Sequence, residues 1–113
     1  MPIKILPVKQ PDWKPLPHPG TEGVLHKSLL RTERLGLALL KFESGATIHE
    51  HPAPMEVDVI CLEGAGFTSV SGESAAMKAG ERVRWPRQAP HRLWTEDSEM
   101  VTLMVEHYER REN

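Results

Sequence analysis

The chain has 113 residues, 14 of them Lys or Arg against 16 Asp or Glu, for a formal charge of -2. That is one domain, long enough to bury a core without staples, and its balanced charge gives no footprint for nucleic acid or an anionic membrane surface. The single cysteine, Cys61, excludes a disulfide framework, and with no long apolar run or leader-like start a cytoplasmic, non-membrane protein is expected.

Pro2, Pro7, Pro11, Pro15, Pro17 and Pro19 crowd the first twenty residues. Proline lacks a backbone N–H and blocks helix interiors, so residues 1–20 read as an extended arm or edge strand. Trp13 and Leu16 can anchor it on its own domain or on a second subunit. From residue 21 to 108, short apolar runs alternate with turn residues. The expected strands are Val24–Thr32, Leu35–Glu43, Val57–Leu62, Phe67–Val70, Ser74–Lys78, Arg82–Trp85, His91–Thr95 and Met100–His107. Breaks are expected at Glu43–Gly45 and Glu63–Gly66, among others. This spacing, with no long 3.6-residue period, is the pattern of an all-β sandwich or barrel. Residues 109–113 read as a charged tail.

Chemistry gathers around three histidines. His49 and His51 stand two apart, and on a regular strand such residues share a face. Strand pairing can bring His91 opposite them. Three converging imidazoles are a possible first shell for iron, manganese, nickel, copper or zinc.

The spacing around these histidines resembles the two signature motifs of the cupin superfamily. In the second motif (Gly, five residues, Pro, x, Gly, two residues, His, three residues, Asn), Gly80, Pro86 and His91 fall in register. Gln88 stands in the second glycine's place, which is tolerable if the turn needs no positive φ, and Thr95 stands in the asparagine's. The first motif (Gly, five residues, His-x-His, three or four residues, Glu, six residues, Gly) spans Gly45 to Gly64 and can be read two ways. Counted from Gly45, its ligand positions fall on His51, Ala53 and Val57. Counted from the histidines, the set is His49, His51 and Glu56. Strand parity turns Val57, Val59 and Cys61 inward and Glu56 and Asp58 to solvent, unless a bulge near Pro54–Met55 intervenes.

The resemblance implies a single-domain jelly-roll β-barrel holding one divalent transition metal, with His91 as the ligand of the late strand and His49, His51 and Glu56 as candidates beside it. It implies a metal-dependent enzyme acting on a small organic molecule, with a dioxygenase-like oxidation as the leading reaction. The alternative is a non-catalytic small-ligand or metal-binding module with a degenerate site, favoured by Ala53 and Val57 at ligand positions. Elsewhere the plainer readings stand. Cys61 is a small buried hydrophobe, Trp85 and Trp94 are packing aromatics with Trp94 facing outward, and His18, His26 and His107 are structural or exposed. A homodimer is expected, because the arm is long and a barrel of this size has edges to cover.

Overall fold

The computed structural model describes residues 2–108, so the expected tail lies outside the described residues. Eight strands form in order: β1 (Lys14–Pro15), β2 (Thr21–Arg31), β3 (Leu35–His51), β4 (Glu56–Val70), β5 (Glu73–Lys78), β6 (Arg82–Trp85), β7 (His91–Trp94) and β8 (Met100–His107). Each of β3 and β4 pairs antiparallel with both β7 and β8, which closes a four-stranded ring. The other strands extend this ring: β2 lies on β3, β1 on β2, and β5 and β6 both lie on β4. The result is an all-β jelly roll.

The long strands differ from the sequence expectation for a physical reason. Glu43–Gly45 and Glu63–Gly66 do not end strands; they are corners at which one strand leaves one partner for the next. β3 pairs with β8 over Leu35–Phe42 and with β7 from Thr47. β4 does the same, with β8 up to Gly64 and with β7 from Phe67. Gly64 sits at its corner with φ +75, and a Cβ there would lie 1.9 Å from the Glu99 carbonyl oxygen. Only glycine meets both conditions. At the other corner Thr95, in the position of the motif's asparagine, accepts a hydrogen bond from Ala46 N at 3.0 Å and donates one to the Glu43 carbonyl. A buried hydroxyl thus satisfies two backbone groups that the bend takes out of the ladder.

Alternation places Val57, Val59 and Cys61 in the core, with Leu40, Phe42, Leu93, Met100 and Met104 facing them from neighbouring strands. Burial raises the Cys61 thiol pKa, as expected of an inert core residue. Trp94 is half-buried and stacks on Phe67 outside this cluster. Asp58 points outward as parity requires, but it is not solvated. Arg84 donates to it through Nε and Nη2, and His107 Nε2 lies 2.7 Å from its Oδ2. These partners cover it to 5% exposure, and chiefly Arg84 holds its carboxyl down to about 2. Gln88 has φ +63, so the turn before β7 does require the left-handed conformation that the motif's glycine normally supplies.

The arm runs antiparallel along the edge of β2. Gln10 N donates to Ser28 O, Leu16 N donates to Val24 O, and Lys14–Pro15 form β1. Trp13 lies beneath the ammonium groups of Lys27 and Lys41, and Leu16 packs on the core. Among the described residues no helix is long and apolar enough to cross a membrane.

Candidate functional site

His51 and His91 are cross-strand partners on β3 and β7, and their ring centroids lie 4.6 Å apart. A bulge sets this pairing. Ile48 faces Leu93 and His51 faces His91, so β3 spends three steps where β7 spends two. The extra residue breaks the shared parity of His49 and His51. Ile48 and His51 both face the cavity, while His49 is exposed and its ring rests on Gly20. Glu56 also lies apart, on the outer face, where its Oε2 accepts from Arg84 Nη1 at 2.8 Å. The structure therefore brings His51 and His91 together and leaves His49 and Glu56 elsewhere. No bulge turns Glu56 inward. Val57 lines the cavity instead, and so does Ala53.

The cavity has a volume of about 290 Å³. Its walls are mainly apolar, built from Leu16, Leu40, Ile48, Val57, Trp85 and Met104. Sequence reasoning missed four polar residues that line it: His18, His26, Ser28 and Glu106. His18 comes from the arm and its ring lies 4.2 Å from that of His51. Glu106 on β8 accepts a hydrogen bond from the Tyr108 hydroxyl. These residues reach the cavity through arm and strand pairings that no local spacing reveals. A larger open groove, about 540 Å³, lies beyond the far end of β7 between Phe67, Met77 and the Glu96–Ser98 turn. Among the described residues its lining holds no histidine.

His91 is deeply buried and stacks face to face on Trp85 at 3.9 Å. Trp85 is itself fixed by its Nε1–H, which donates to Thr68. Burial, reinforced by the imidazoles of His51 and His18, lowers the His91 pKa to about 4, so the ring is neutral near pH 7. Its Nδ1 contacts the Ala89 carbonyl at 3.1 Å, and His51 Nδ1 contacts the His49 carbonyl at 2.9 Å. A carbonyl only accepts, so each ring carries a proton on Nδ1. Neither Nε2 has a protein partner among the described residues, and no buried side-chain nitrogen lacks one, so these atoms open onto the cavity.

A single metal held in the usual way needs a cluster of three or more donors. The positions counted from Gly45 hold His51, Ala53, Val57 and, from β7, His91: two imidazoles and two hydrocarbon side chains. Among the described residues no group of three His, Cys, Asp or Glu is placed to hold a metal ion. The residues present therefore do not fit a four-ligand centre. They can accept hydrogen bonds from a bound molecule while apolar walls exclude water.

Comparisons with known proteins agree with this architecture. No curated protein sequence matches the chain. The chain is similar in structure to the polyketide cyclase RemF from Streptomyces resistomycificus, with a TM-score of 0.81 and 20% identity over 99% of this chain and 83% of that one. A cupin-like protein from Thermotoga maritima aligns with a TM-score of 0.73 and 26% identity, over 77% of this chain and 71% of that one. KdgF from Halomonas sp. gives 0.74 and 20%, over 88% and 87%. The family model described as "Cupin domain" matches residues 38–106, which hold most of the closed ring and the cavity histidines of β3 and β7, and the chain belongs to the cupin superfamily.

Proposed function

We propose that this cupin is a small-molecule-binding barrel whose cavity receives an organic ligand on the imidazoles of His51 and His91, without a resident metal in a four-ligand centre. The observation that carries this reading is the pair Ala53 and Val57, which line the cavity where the family's motif has ligands. The small volume, apolar walls and few fixed polar atoms support it. The metal-dependent oxidation implied by the motifs needs a donor set that these residues do not assemble. The test is metal content. After gel filtration in the presence of added iron(II) or zinc, the protein is expected to retain clearly substoichiometric metal. One tightly held equivalent, lost in His91→Ala, restores the metal-enzyme reading and overturns this one.

Its other partner in this proposal is a second copy of the chain. Ile3, Ile5 and Leu6 are 89%, 92% and 76% exposed, although the arm pairs with β2 from Lys9 onward. Apolar side chains in a row on an extended segment are a liability in a monomer and a contact in a dimer. Removing residues 2–8 is expected to convert a dimer into a monomer by light scattering. An unchanged dimer removes the arm from the interface.

A further inference from the structure

The polar lining of the cavity is one-sided. His18, His26, His51 and His91 each direct Nδ1 to a backbone carbonyl, those of Pro19, Lys14, His49 and Ala89, at 2.8 to 3.1 Å. In the neutral ring such a tether places the proton on Nδ1 and leaves Nε2 as an acceptor. Glu106 adds a carboxylate and Ser28 a hydroxyl that can donate or accept, and among the described residues no lysine or arginine lines the space. The cavity thus offers many acceptors and little to receive an anion. Its apolar walls and the stacked Trp85–His91 pair favour a flat molecule over an extended polyol.

Resting on the binding function proposed above, we infer that the ligand is a flat, uncharged molecule bearing hydroxyl donors, phenolic in character, and that His18 carries one of its acceptors from the arm into the barrel. His51 and His91 belong to paired strands of the closed ring. His18 belongs to the turn at the end of the arm, where Thr21 donates to its carbonyl at 2.6 Å. It is the part of the acceptor set that could be removed without disturbing the core, because its residue is exposed.

The experiment compares three probes by NMR titration of the full chain: resorcinol, its dimethyl ether and benzoate. Resorcinol chelates metals poorly, so a stray ion does not imitate the effect. Resorcinol is expected to bind roughly ten-fold tighter than the ether, since two hydroxyl donors are lost on methylation, with benzoate weakest. His18→Ala is expected to weaken resorcinol about three- to ten-fold and leave the ether unchanged. Long-range proton–nitrogen spectra should show Nδ1-protonated rings in the wild type and intact His51 and His91 signals in the variant, which verifies its fold. Equal binding of resorcinol and its ether overturns the donor-ligand inference while the binding barrel stands. Tightest binding of benzoate overturns it as well. Unchanged resorcinol affinity in His18→Ala removes His18 from the site. If no probe perturbs the signals of His51, His91 or Trp85, the small-molecule function itself fails.

Discussion

Gly64→Ala is expected to destabilise the fold by about 4 kcal/mol or more, at the far end of the range for a single substitution. Two costs add. A left-handed backbone in a residue with a Cβ costs about 1–2 kcal/mol. The larger cost is steric, because the new methyl would lie 1.9 Å from the Glu99 oxygen and 2.9 Å from its carbonyl carbon. Both are main-chain atoms immediately before β8, so relief requires moving a strand of the closed ring. Gly72→Ala is the internal control. It has φ +84, but a methyl there would meet no heavy atom within 4 Å, so only the backbone cost of about 1–2 kcal/mol applies. Urea midpoints of the two variants measure the difference. A Gly64→Ala variant no worse than Gly72→Ala would mean that the corner is free to move.

Acidification is expected to remove about 3 kcal/mol of stability between pH 6.5 and about 4, through His91. Its pKa falls from the ordinary 6.5 to about 4 in the folded state, so in that window the unfolded chain binds the proton more readily. Stability therefore declines as pH falls through 6.5 and levels off below 4. Asp58 acts lower on the scale. Its pairing with Arg84 stabilises the fold above 3.8, and that contribution is lost as pH falls toward about 2. Denaturant melts at several pH values separate the two. His91→Gln should abolish the slope in the upper window and retain the lower one. An upper slope that persists in His91→Gln would assign it to another group.

The fold was largely legible in the sequence because alternation reads strand faces well. Val57, Val59, Cys61 and Leu93 face inward as period-two patterning requires, and β6 and β8 have the expected limits. The corner glycines misled, because a glycine at a bend and a glycine at a strand end look alike in sequence. Of the candidate histidines, the sequence brought only His51 and His91 to one cavity as expected. His49 was displaced by one extra residue in β3, which no local pattern signals. His18 and Glu106 were missed because they meet the cavity through long-range pairing. Asp58 was read as solvated because alternation tells which face a residue is on, not what then covers it.

The closed ring also dictates the order in which this molecule can acquire its structure. β3 and β4 each need both β7 and β8 as neighbours, and β8 begins only at Met100. During synthesis, the two longest strands emerge well before the strands that complete them. Their apolar faces stay unsatisfied until β7 and β8 have left the ribosome. Pairings of such high sequence separation place folding on the slow side, on the order of milliseconds to seconds. A stalled or truncated chain that lacks β8 is thus an aggregation-prone species rather than a smaller domain.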